Sequence, residues 1–237
     1  MTLCTNSAYM KKWMLPLWVL LWSLTACIQD DILDDAVPEN LRITNPVDTL
    51  PLNTTYQFMA RYTNRVGEVE DRSIRWSSDQ PDIVQVSTSG EATAIREGTT
   101  ILSAAADGDL GQTIEIEHEV TVIADGTIDT TREERSGTIQ TTSSYVLEGS
   151  FTVREMNGVL TIDIADDYRA SSSLPGLYLY LTNNPNSTAN ALEVGEVSVF
   201  SGAHEYQVSG TDLNDYDYLL YFCKPFSVKV GDGALKP

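Results

Sequence analysis

At 237 residues the chain is long enough for one large domain or two small ones, and 34 Asp and Glu against 15 Lys and Arg give it a formal charge of −19. That excess excludes nucleic-acid binding, which needs clustered basic residues to displace counterions, and attachment to anionic lipid through a polybasic patch. A well-solvated body facing water is the class that remains.

The N-terminal segment comes first. In "MKKWMLPLWVLLWSLTAC", Lys11 and Lys12 precede an apolar stretch from Trp13 to Leu24. The stretch is too short to span a bilayer, which takes roughly 20 apolar residues. Its length and flanks are those of a secretory signal, with Met10 read as the start. Leu24-Thr25-Ala26-Cys27 then resembles the lipobox of bacterial lipoproteins. The resemblance implies a thioether-linked diacylglycerol on Cys27, cleavage before it and acylation of the new amino terminus. Three acyl chains anchor firmly, since each buried CH₂ contributes about 0.8 kcal/mol and one chain alone is marginal. Residues 1–26 are therefore expected as a lipoprotein signal peptide, with the membrane as partner through the lipid on Cys27.

Removal of two lysines and no acid leaves 13 basic residues against 34 acidic ones, 13 − 34 = −21. Residues 27–36 read as an acidic tether, with Asp30, Asp31, Asp34, Asp35 and then Glu39 in a segment too polar to fold. They resemble the acidic export tag that sends some Gram-negative lipoproteins to the outer face of the outer membrane. Surface exposure is the expected location, and a periplasm-facing placement is the alternative.

From Val37 to Ala124 the pattern is of short strands. "LRITN", "TYQFMARYT", "SIRWSS", "IVQVS", "EATAI", "TTILSAAA" and "IEIEHEVTVIA" alternate with period two or are rich in β-branched residues, and Gly, Asn, Asp and Pro punctuate them. No sustained 3.6-residue apolar period appears, so a β-sandwich is expected. In the last segment Ile114, Ile116, His118, Val120 and Val122 share one side, and Glu115, Glu117, Glu119 and Thr121 the other. Trp76-Ser77-Ser78-Asp79, then Val84 and Val86, Gly90, Ala92 and Ala94, Gly98, Thr100 and Ile101 follow a recognisable order. This order resembles the bacterial immunoglobulin-like domain of group 2, over most of residues 37–124. The resemblance implies a spacer or binding module. Trp76 would be its inter-sheet core residue, and Gly90 and Gly98 would sit in tight turns.

Residues 125–136, charged and Thr-rich, read as a linker. Asp48-Thr49-Leu50 and Asp129-Thr130-Thr131 resemble Asp-Ser/Thr-apolar sites of O-glycosylation. Strands then resume. "SYVLEGSFTVREMNGVLTIDI" is a hairpin pattern with Asn157-Gly158 at the turn, followed by "GLYLYLT", "GEVSVF", "HEYQV", "YDYLLYF" and "FSVKV".

The C-terminal stretch pairs Gly202 with Tyr206, then runs Tyr216-x-x-Leu219-x-Tyr221-Phe222-Cys223-Lys224-Pro225-Phe226 to Gly231, Ala234 and Leu235. With the earlier "GSFTV", "VLTIDI" and "GLYLYLTN", it resembles the DM13 domain over residues 137–237. The resemblance implies an electron-transfer or redox role, carried by a cysteine near the C-terminus, here Cys223. Cys4 and Cys27 fall in the removed or modified region, so Cys223 stands alone and no disulfide framework is expected. Its strand is apolar on both faces, as an interior strand is, and Pro225 ends it. A structural core thiol and a functional thiol both remain open.

The histidines, His118 and His204, lack the context of a zinc site, though His204 could pair with Cys223. Asp107 and Asp109, and Asp212, Asp215 and Asp217, have oxygen ligands suited to Ca²⁺ without the order of a calcium loop. Tyr178, Tyr180, Tyr206, Tyr216, Tyr218 and Tyr221 could form a contact surface or cover sheet faces. No phosphate loop, nucleophile elbow or kinase set appears, no cofactor or metal is implied, and a non-enzyme is the favoured reading.

The expectation is thus an all-β chain of two tandem sandwich-like domains, the second a sandwich or small barrel, after a lipoprotein signal peptide. Its function is binding or interaction at the cell envelope, with a protein or carbohydrate ligand. A redox module acting through Cys223 and a calcium-stabilised adhesin are the alternatives.

Overall fold

The computed structural model describes residues 36–128 and 134–236. The signal peptide, Cys27, nearly all of the tether and Asp129-Thr130-Thr131 lie outside the described residues.

Ten strands make up the first half: β1 (Asn40–Ile43), β2 (Thr49–Pro51), β3 (Thr55–Gln57), β4 (Ala60–Thr63), β5 (Val69–Glu70), β6 (Arg75–Ser78), β7 (Val84–Val86), β8 (Glu91–Ala94), β9 (Gly98–Asp107) and β10 (Thr113–Ile123). They form three small sheets, in the orders β1-β4-β5, β2-β10-β9-β6 and β3-β8-β7. All pairings are antiparallel except β2 with β10. Along β10 the expected alternation holds: Val120 and Val122 are buried, Ile114, Ile116 and His118 half-buried, and the three glutamates exposed. Trp76 lies in the core with Phe58, ring centroids 5.9 Å apart. Ala92, Ala94, Ala104 and Ala106 on β8 and β9 are buried in the same cluster, where their small side chains leave room for the two large rings.

"TYQFMARYT" is two strands rather than one. Asn45 separates them: its amide nitrogen donates to the Gln57 carbonyl at 2.7 Å and its oxygen accepts the Met59 N–H at 2.7 Å. The Phe58 N–H turns to the Gly90 carbonyl, so β3 joins β8 while β4 joins β1. Gly90 has φ +90°, and a Cβ there would meet the Phe58 oxygen at 2.6 Å and Trp76 Nε1 at 2.9 Å. Only glycine fits this turn against the tryptophan.

Nine strands follow: β11 (Glu134–Thr141), β12 (Leu147–Met156), β13 (Val159–Ile164), β14 (Arg169–Ala170), β15 (Leu177–Thr182), β16 (Leu192–Glu196), β17 (His204–Ser209), β18 (Tyr218–Cys223) and β19 (Val228–Ala234). They join in one sheet, ordered β16-β15-β18-β19-β11-β12-β13-β17, with β14 beside β12. The sheet curls into a nearly closed barrel whose end strands, β16 and β17, approach without pairing. Asn157 (φ 55°) and Gly158 (φ 74°) make the expected two-residue hairpin turn between β12 and β13. β16 begins three residues before the expected "GEVSVF" and carries a bulge against β15. β11 begins at Glu134, inside the segment expected as linker, where Glu134 already pairs with Arg154 of β12 and the Arg135 side chain is buried. The two halves have separate apolar clusters, one from Leu41 to Val122 and one from Ile139 to Leu235, while Asp35–Pro237 clusters as one unit. Among the described residues no helix is long and apolar enough to cross a membrane.

Candidate functional site

Cys223 closes β18, an interior strand between β15 and β19. Pro225 then forces a 3₁₀ turn, Lys224–Phe226, and Ser227 leaves it at φ 51°. The thiol is wholly buried in the barrel core, with Sγ 3.3 Å from the Pro175 carbonyl to which it donates. A strand-end thiol reaching solvent is therefore not what the fold builds, because the turn folds over the strand end. No thiolate–imidazole pair forms either. The His204 Nδ1 bonds to the Gly202 carbonyl at 2.9 Å, and its Nε2 has no hydrogen-bond partner. His118 sits on the sandwich, with Nε2 3.0 Å from the Val47 carbonyl.

Four of the five acids considered for calcium, all but Asp212, are taken by arginines. Arg75 pairs with Asp107 at 2.8 Å, and Arg72 pairs with both Asp109 and Glu70. Arg61 pairs with Asp215 at 2.6 Å, and Asp217 accepts Asn40 at 2.8 Å, Arg135 at 3.3 Å and Arg42. A calcium ion would have to displace guanidinium groups at each place. Among the described residues, no group of three or more His, Cys, Asp or Glu side chains is placed to hold a metal.

Asp215 and Asp217 instead latch the second half to the first. Around them Asn214 donates to the Thr44 carbonyl at 3.2 Å, Asn184 to the Val66 carbonyl at 3.1 Å and Asn190 to Glu68 at 2.9 Å. Gly67 (φ +82°) rests on the Asn183–Asn184 backbone, where a Cβ would meet the Asn184 Cβ at 2.7 Å. Arg135 is the most enclosed ion, donating also to the Tyr216 and Leu235 carbonyls. Burial first, then the nearby Arg42 charge, lowers its pKa to about 10, with Asp217 opposing. Burial resists ionisation of Asp215, but the Asp212 N–H, the Thr211 hydroxyl and Arg61 together hold its pKa below the usual value.

Two clefts flank this seam. One, of about 270 Å³, is lined by Glu39, Asn40, Arg42, Asn183, Asp217 and Tyr218 among others. The other, of about 380 Å³, is lined by Arg61, Glu68, Asn183, Asn190, Asp215 and Tyr216 among others. Asn183 borders both. Of the six tyrosines considered for a surface, Tyr216 and Tyr218 line these clefts and Tyr178 lies under the Lys224 ammonium at 3.7 Å. Tyr180 and Tyr221 are buried, and the Tyr206 hydroxyl is enclosed. Sequence reasoning missed Arg42, Arg61 and Arg135. The available signal was Arg135, which shares a strand face with the buried Ile139.

No protein-family model matches the chain, and no curated protein matches it significantly. Among solved structures, domains 4 and 5 of the S-layer protein SbsC align at 15% identity over 83% of this chain and 96% of that one, with a TM-score of 0.27. Domains 1–6 of the same surface-layer protein align at 15% identity over 85% of this chain and 40% of that one, with a TM-score of 0.28. Superpositions at this level carry no argument about fold or function.

Proposed function

We propose that the chain is a lipid-anchored cell-envelope binding protein, in which an immunoglobulin-like module of the bacterial group 2 type carries a DM13-like barrel. The observation that supports it best is the seam. Arg42, Arg61 and Arg135 against Asp215 and Asp217 join two β-modules into one arm, and the join leaves clefts walled by planar polar side chains and a tyrosine. Clefts at domain junctions are common ligand sites, and Tyr216 with Arg61, Asn190 and Glu68 suits a polar ligand such as a saccharide or a protein loop. The lipobox residues ending at Cys27 supply the anchor, and the acidic tether spaces the arm from the outer membrane.

The test is fractionation and labelling of producing cells. The wild-type chain incorporates palmitate and sediments with membranes, and protease added to intact cells degrades it. Cys27→Ser abolishes the label and releases the protein. An unlabelled, soluble wild-type chain would discard the anchored reading, and protection from protease would move it to the periplasmic face.

A further inference from the structure

We infer that the larger seam cleft, of about 380 Å³, receives an arginine side chain of a protein partner, its guanidinium against Glu68 and Tyr216. The inference rests on the reading of the seam as a ligand site and names the chemistry of what enters it. The cleft lies between the turn at residues 67–69 of the first half and the loops carrying Asn183, Asn190, Asp215 and Tyr216 of the second. Its charged lining is one cation, Arg61, and two carboxylates, Glu68 and Asp215. Arg61 and Asp215 are already engaged in the latch. Arg61 donates to Asp215 at 2.6 Å and to the Asn214 carbonyl, and the other Asp215 oxygen accepts the Thr211 hydroxyl at 2.9 Å and the Asp212 N–H at 2.8 Å. Glu68 has no cationic partner among the described residues. Its Oε1 accepts the Asn190 amide at 2.9 Å, and its Oε2 accepts nothing.

The groups left open in the cleft are short of hydrogens. The Glu68 Oε2 and the Asn190 Oδ1 can only accept, and both residues are exposed. Arg61 Nε and Asn183 Oδ1 are also unpaired, but both are buried. A ligand that matches this wall brings donors and positive charge. A guanidinium brings five N–H donors in one plane and is more weakly hydrated than an ammonium, so it leaves water at lower cost. Tyr216 supplies an aromatic wall for that plane, and Val69, 54% exposed, an apolar one for the methylene stem. Long-range charge acts in the same direction, since a body with 34 acids against 15 bases draws cationic segments and repels anionic ones. The smaller cleft offers no such vacancy. Its Asp217 accepts Arg42, Arg135 and Asn40, and its Glu39 accepts Tyr62, Gln112 and the Asp109 N–H.

The experiment titrates the isotope-labelled mature chain carrying Cys27→Ser with a capped Gly-Arg-Gly peptide, followed by NMR. A second peptide carries citrulline, which keeps the shape of arginine and removes its charge. The arginine peptide binds saturably at one site, and the amide signals that shift are those of residues 67–69, Asn190 and Tyr216. Citrulline weakens binding by about tenfold or more, the worth of a charged hydrogen bond. Glu68→Gln weakens the arginine peptide to a similar degree, whereas Glu117→Gln, which removes an exposed carboxylate of β10, leaves its affinity unchanged. Equal weakening by the two variants would mean that the peptide answers only to overall charge and would overturn the inference, as would the absence of saturable binding. Equal binding of both peptides in this cleft would keep the seam as a ligand site and overturn its cationic occupant.

Discussion

Cys223 illustrates how little a residue type says without its surroundings. A lone cysteine among the described residues invites a redox role, but an enclosed sulfur against the Pro175 carbonyl packs as a small hydrophobe with a weak donor. In the mature chain carrying Cys27→Ser, Cys223 is expected to resist alkylation until denaturant unfolds the barrel. Cys223→Ser should cost roughly 1–3 kcal/mol in urea unfolding, the range for a hydroxyl poorly satisfied in an apolar site. Rapid labelling of the folded protein would contradict both expectations.

Among the strands, short β-elements depend on single contacts that set where they begin and end. Asn45 splits one apolar-polar run into β3 and β4, and Gly90 lets the turn before β8 close over Trp76. Gly90→Ala adds a Cβ at positive φ and into the Phe58 carbonyl, so about 1–3 kcal/mol of destabilisation is expected by thermal melting. Near-UV circular dichroism should change as well, because Trp76 must shift. An unchanged melting point would mean the turn relaxes freely.

The two halves are joined by charge rather than by a shared apolar core. Removing one partner of a buried ion pair leaves the other uncompensated, so Asp217→Ala should cost roughly 3–5 kcal/mol, with Arg135 stranded. Asp215 adds a pH dependence. Its native pKa lies below the ordinary 3.8, so its contribution is complete above that value and fades as pH falls through it towards the native one. Melting points between pH 5 and 2 should fall less steeply in Asp215→Asn than in the wild type. Parallel profiles would remove Asp215 from the account.

Period-two alternation decided the all-β class and the faces of β10, and Asn157-Gly158 the hairpin, because side-chain direction along a strand and turn geometry are local properties. The same alternation, apolar on both faces of β18, placed that strand in the interior. What local pattern cannot carry is pairing across the chain. Arg61 meets Asp215 over 154 residues and Asn40 meets Asp217 over 177, so Asp215 and Asp217 read as candidate calcium ligands until folding brought arginines to them. The tyrosines divide for the same reason. Tyr178 and Tyr221 look alike in sequence, but sheet closure leaves one half-exposed under Lys224 and seals the other beside Tyr168. Strand identity is written in neighbouring residues, whereas burial and charge partnership belong to surfaces that exist only once the sheets have closed.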